Sequence, residues 1–327
     1  MWVAHPTCDE RTHPDNAAGL EAWDHGDVVA KPDRMPELLE PVRRAVAGAV
    51  RSRVVGDDAE RRASELFTAT GERWFAEDSA IRLVHSDVSM FIGGLRALLF
   101  QSLHPLAMAG VAQHSDYRAD PWGRLQRTAD FLAATTFGPA EEAQRAIDMV
   151  KKVHTRVQGT ARDGRTYRAN DPHLLRWVHI AEVDSFISAH RAFGESPLEP
   201  HEYDEYVADM AVIAEKLGVE EPPRSTRELK QQIAYYRREL SSSPEARDAA
   251  RFLLITPPLP LVARAPYGLI GAAAVSLLPL WARRPLRLPW LPVSERAFVR
   301  PAGTVLSRTL RWALAPESPE ALARTTD

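Results

Sequence analysis

The first residue with chemistry to offer is a histidine on the apolar stripe of an otherwise charged helix. In Ile147-Asp-Met-Val150-Lys-Lys-Val-His154-Thr-Arg-Val157, the residues Ile147, Val150, His154 and Val157 recur on one helical face, and Lys151, Lys152 and Arg156 fall on others. Burying an imidazole without a partner costs about 1–3 kcal/mol. His154 therefore needs a carbonyl or carboxylate, as a satisfied core histidine has, or a metal, and spacing alone leaves both open. His179 stands beside Trp177 and Val178, with Glu182 and Asp184 about one turn on. A His with a carboxylate three residues away is half of a di-iron ligand set read backwards. No Glu-x-x-His on the expected helices and no His-Glu-x-x-His completes it, so non-haem iron rests on this half-set alone. Arg124, Arg127 and Thr128 share a third helical face, which Phe131 and Leu132 continue toward the core. Two inward-facing arginines require anions: a cofactor or substrate carboxylate, or a bound oxygen species. The alternative is an ordinary surface pairing with Asp120 and Asp130.

Helices must carry these residues, and the chain predicts little else. It has 327 residues, 45% apolar and 26% charged, ample for a large buried core. A net charge of −3 gives no electrostatic reason to expect nucleic acid. The single cysteine, Cys8, excludes a disulfide framework and any Cys-x-x-Cys site. The opening residues show neither a basic nor an apolar signal region, so the expected location is cytoplasmic.

Residues 1–35 mix Pro, Asp, His and Gly without periodicity and read as a poorly ordered arm. From Pro36 the period is helical, with Leu38, Leu39, Val42, Val46 and Val50 on one stripe. Further helices are expected over Ala59 to Phe75, Asp78 to Phe100, Trp122 to Phe137, Pro139 to Val157, Asp171 to Phe193, His201 to Leu217 and Ser225 to Leu240, with another restarting at His104-Pro105. Asp171, Pro172 and Gly194 are the cap, first-turn proline and terminator of one of them. Asp163-Gly164 marks a hairpin turn. The Gly93-Gly94 pair lowers helix propensity by about 1 kcal/mol per glycine. Close helix packing is the expected reason, and a flat ligand lying against the backbone is the other. No strand-like alternation is sustained, so the expected fold class is all-α.

Beyond Ser241 the composition turns Pro-rich and apolar. Ala265 to Ala282 carries no charge and is followed by Arg283, Arg284 and Arg287. Its prolines and glycines favour a buried core helix over a membrane span. A peripheral membrane contact through 265–287, with arginines on lipid phosphate, is the second expectation.

Several motifs occur in one order: Gly93-Gly94-Leu-Arg-Ala-Leu-Leu, Gln101-x-x-His104-Pro105, Gly110-Val111, His114-Ser115, Gly123-Arg124-x-x-Arg127-Thr128, Val153-His154, Tyr167-x-Ala169-Asn170-Asp171-Pro172 and Trp177-Val178-His179. With these the chain resembles the MpaB-type oxygenase family, whose superfamily includes the latex-clearing rubber oxygenases. The likeness runs from about Asp78 to Leu240 and more loosely through the Pro-rich tail. It implies a globin-like helical domain holding haem b, with iron on the residue matching His154. Where the family pattern has Arg-x-x-Lys-Thr, this chain has Arg124-x-x-Arg127-Thr128. A family Lys can occupy the sixth iron position, whereas a guanidinium stays protonated and coordinates poorly. Arg127 is thus expected to leave the iron open or to bind a propionate.

The resulting expectation is an arm at 1–35, a haem-binding oxygenase-like domain at 36–240, and a Pro-rich apolar segment at 241–327 packed on it. Its function would be a haem b-dependent oxygenase that activates O2 or a peroxide on an apolar small molecule. In it, Arg124 and Thr128 stabilise bound oxygen, His154 holds the iron, and Arg124, Arg127, Thr128 and His179 line the cofactor, with His179 the alternative axial ligand. Without an export signal, the substrate is expected to be a small intracellular molecule rather than polyisoprene. The rivals are a non-catalytic haem-binding or membrane-surface helical protein and a non-haem iron enzyme.

Overall fold

The computed structural model describes residues 69–314 apart from residue 116. The expected N-terminal arm and the Leu38–Val50 stripe lie outside the described residues. Helices dominate: α1 (Ala80–Ser86), α2 (Met90–Gln101), α3 (Pro105–His114), α4 (Pro121–Phe137) and α5 (Ala140–His154) precede a small hairpin of β1 (Gln158–Thr160) and β2 (Thr166–Arg168). Then come α6 (Pro172–Phe193), α7 (Pro200–Leu217), α8 (Thr226–Tyr236), α9 (Pro244–Ile255), α10 (Leu261–Leu277), α11 (Leu280–Arg283), α12 (Pro292–Ser294), a π-helical turn (Glu295–Val299) and α13 (Arg300–Leu314). The fold is all-α, as expected.

Caps set most of the boundaries. The Asp171 carboxylate accepts from His173 N–H at 2.9 Å, Pro172 opens α6 and Gly194 closes it. Ser225 and Ser243 cap α8 and α9 in the same way. The hairpin pairs Gln158 with Arg168 and Thr160 with Thr166, and Gly164 turns it at φ +84°, a conformation that favours glycine.

The long helix α6 is the spine of the core. Trp177, Ile180, Ala181 and Val183 on it are fully buried, and α2 packs along it. Arg96 of α2, itself buried, donates to Asp184 and Ser185 of α6 at 2.6 Å each. The Gly93-Gly94 pair divides its roles. A Cβ on Gly93 would lie 2.7 Å from Phe186 Cδ1, so glycine is needed there for α2 to meet α6; a Cβ on Gly94 would meet nothing within 4 Å. Gly93→Ala is therefore expected to lower stability by about 1–3 kcal/mol through overpacking. Gly94→Ala should raise it by up to about 1 kcal/mol through helix propensity, and paired thermal melts of the two variants check the contrast.

Three expectations need correction. The stretch expected as one helix from Asp78 to Phe100 is α1 and α2, bent by 95°. Asp87 breaks it: its Oδ1 accepts from Ser89 N–H at 2.7 Å, and its carboxylate is held by Arg311 of α13 at 3.0 and 3.1 Å. Residues 69–75, the described end of the expected Ala59–Phe75 helix, are not helical; Arg73 makes a bridge to Pro139 instead. Finally, Arg283 does not face lipid. It is buried, and donates to the carbonyls of Leu278 and Ser276 at 2.7 Å and to Glu295 at 2.6 Å, so it caps the end of α10. Ala273, Ala274, Val275, Leu278 and Ala282 are buried as well, the core-helix outcome for this segment. Among the described residues no single helix is long and apolar enough to cross a membrane.

Candidate functional site

Helices α4 and α5 pack as a hairpin closed at Gly138-Pro139. Arg124 lies 14 residues before Gly138 and His154 15 residues after Pro139. At about 1.5 Å per helical residue, each sits roughly 20 Å from the turn. Both residues therefore lie toward the ends of α4 and α5 that are away from that turn.

His154 is the last residue of α5 and is half-buried. Among the described residues its ring makes no hydrogen bond, and burial lowers its pKa, so it presents a neutral imidazole at neutral pH. Arg124 is half-buried and donates to Ser115 Oγ at 2.7 Å. Burial, then the nearby charge of Arg127, lowers its pKa, yet a guanidinium remains protonated throughout the physiological range. It is a desolvated cation whose observed partner is a neutral hydroxyl. A cleft of about 340 Å³ lined by Ser115, Tyr117, Glu245 and Asp248, among others, opens beside that hydroxyl.

Arg127 and Thr128 are exposed. Arg127 pairs with Asp120 at 3.2 Å, the surface pairing considered from the sequence, and Asp120 also caps α4 through Gly123 N–H at 2.9 Å. The Thr128 hydroxyl donates to Arg124 O at 3.1 Å, inside its own helix.

His179 sits apart from this end, on the core helix α6. It is buried, and its Nε2 has no hydrogen-bond partner. Burial pushes its pKa down to about 4 and that of Glu182, one turn on, up to about 7. Asp184, the other carboxylate of the half-set, is committed to Arg96. His85 of α1 is satisfied on both nitrogens, by Thr136 Oγ1 at 2.8 Å and Tyr206 OH at 3.1 Å. The His and carboxylate atoms that do converge belong to His104, His173 and Glu239. In the sequence His104 stands out only within a motif and His173 and Glu239 do not stand out at all, because the three lie on separate segments with no ligand spacing to flag them.

Glu182 gives a pH prediction. Its folded pKa is raised, so between about pH 4.5 and 7 the unfolded chain ionises while the folded one keeps its proton, and stability falls as pH rises through that window. Glu182→Gln removes the loss. Its Tm should match the parent protein at pH 4.5 and exceed it at pH 8; equal melting at both pH values would contradict the assignment.

The family defined as the ER-bound oxygenase mpaB/B'/rubber oxygenase catalytic domain matches residues 81–312. The chain belongs to this family of oxygenase catalytic domains. Neither a curated protein nor a solved structure gives a match.

Proposed function

We propose that the protein is a haem b-dependent oxygenase that uses O2 on an apolar organic substrate. The observation that carries this reading is the half-buried His154, whose ring has no hydrogen-bond partner among the described residues, at the end of α5, with the half-buried Arg124 on α4, the helix packed against it. Such an imidazole would suit a haem iron as ligand, and a guanidinium with no anionic partner among the described residues would suit a propionate or a bound oxygen species. Haem would supply the centre at which O2 is activated.

The chain's own residues then divide the work. His154 holds the iron through a ring nitrogen. Arg124 donates hydrogen bonds to the anion, with Ser115 orienting its guanidinium. Thr128 adds a hydroxyl when it turns from the Arg124 carbonyl. Arg127, held by Asp120, stays off the iron, where the related pattern has a lysine. His179, whose buried Nε2 has no hydrogen-bond partner, would be the alternative residue to hold the iron.

Arg124→Ala is expected to lower O2 consumption about 100-fold, the usual loss for one donor to a developing anion. Arg127→Ala should stay within a few-fold, as an exposed pair contributes little. Similar losses in the two variants would remove the distinction drawn here. The rival, a membrane-surface protein without turnover, has its own support in exposed Trp290, Leu291, Val293 and Phe298 near the exposed Arg284 and Arg287. On that reading the haem-supplied parent protein consumes no O2.

A further inference from the structure

Two imidazole nitrogens face one carboxylate oxygen where the start of α3, the start of α6 and the chain just beyond α8 come together. Glu239 Oε2 lies 2.8 Å from His173 Nε2 and 3.7 Å from His104 Nε2. His104 is only 2% exposed, and its Nε2 is buried without a hydrogen-bond partner. A buried polar atom left in this way is costly unless something occupies the space it faces. His173 and Glu239 are 39% and 40% exposed at their side chains, so the group opens to solvent on one side.

We propose that His104, His173 and Glu239 form a binding site for a divalent first-row transition cation of the Zn2+ or Fe2+ class, using none of the residues assigned to haem. Two histidines and one carboxylate are the ligand set of catalytic zinc sites and of non-haem ferrous sites, both of which keep positions open for water or substrate. Ligand atoms about 2.0–2.2 Å from a tetrahedral ion stand roughly 3.3 Å from one another. The observed 2.8 and 3.7 Å bracket that spacing.

The proton inventory points the same way. The Tyr236 hydroxyl has one hydrogen and lies 2.8 Å from the His173 carbonyl, to which it donates. Its contact with His173 Nδ1 at 3.1 Å is then one it accepts, so Nδ1 carries the ring proton. In the neutral ring this turns a bare Nε2 lone pair toward Glu239 at 2.8 Å. Two electron-rich atoms at that distance need a proton or a cation between them. A divalent cation fills that position.

Burial holds His104 neutral, its pKa pushed down to about 4. Metal binding places its ring proton on Nδ1 and gives up the 3.4 Å contact from Ala107 N–H, which lies at the outer edge of hydrogen bonding. The surroundings are already fixed. Ser241 N–H donates to Leu103 O at 2.8 Å, tying the Glu239 segment to the His104 segment, and the His173 ring stacks on Tyr236 at 4.5 Å. Supporting contacts of this kind orient first ligands in metal sites.

The test uses the full chain, stripped with chelator, desalted and titrated with Co2+ as a visible probe. The proposal expects one equivalent of Co2+ per chain with d–d absorption, displaced by Zn2+. Glu239→Gln and His173→Gln should each weaken binding by at least about 100-fold, whereas His154→Ala leaves it unchanged. Both substituted side chains are partly exposed, and circular dichroism verifies that the variants fold. Absence of Co2+ binding by the parent protein, or equal affinity in the folded Glu239→Gln and His173→Gln variants, overturns the site.

Discussion

Replacing His154 by alanine abolishes O2 uptake by the haem-supplied protein while leaving its fold intact. The two halves of this expectation come from different facts. His154 closes α5 at a half-buried position, and its ring makes no hydrogen bond among the described residues. Removing it therefore costs under about 1 kcal/mol of stability, the range of substitutions away from packed features. Its proposed role as iron ligand makes the functional loss far larger. Groups that merely support a metal ligand cost 10–100-fold when removed, and loss of the ligand itself should exceed about 100-fold. An oxygen electrode and a thermal melt on the same preparation separate the two effects. Added imidazole, entering the space left by the ring, should restore part of the rate. Unchanged O2 uptake in a folded variant would remove His154 from the mechanism.

Trp177→Ala is expected to have the largest effect on stability, about 3–5 kcal/mol. Trp177 is fully buried, its ring packs edge-on to Phe100 at 5.3 Å and against Tyr236 at 5.6 Å, and its Nε1–H donates to Gln101 O at 3.0 Å. Gln101 answers by donating from its side chain to Val178 O at 3.1 Å. These reciprocal bonds lock the end of α2 against α6, so truncation leaves a cavity and takes one of two donors from the Gln101 carbonyl, which keeps His104 N–H at 3.2 Å. Trp177→Phe keeps most of the volume and loses only the hydrogen bond, and should be much milder. Denaturant midpoints with unchanged slopes would measure both. A loss under about 1 kcal/mol for alanine would mean that α2 and α6 are held together elsewhere.

What could be read from the sequence was local. Asp171-Pro172 and Gly194 bound α6 as their capping chemistry predicts, and Asp163-Gly164 turns the hairpin. The bland pairing of Arg127 with Asp120 could also be read, because both residues lie within two turns. What escaped depends on distant partners. The bend at Asp87 relies on Arg311, 224 positions away, and no periodicity in Asp78–Phe100 reports it. Arg283 looked like a membrane-facing cation because its acceptors are backbone carbonyls and Glu295, brought together only when α10 and α11 turn. The two adjacent glycines read identically in sequence, yet Phe186 requires one and nothing meets the other. His104, His173 and Glu239 converge from three segments that the sequence presents as unrelated.

The central claim is that His154 anchors haem at the open end of the α4–α5 hairpin. The most direct measurement is the absorption spectrum of the purified full chain expressed with haem supply, recorded beside His154→Ala and His179→Ala. The account predicts a Soret band in the parent protein and in His179→Ala, and its loss in His154→Ala. A band lost only with His179 would move the ligand to the core helix, and a parent protein without any Soret band would contradict the haem reading outright.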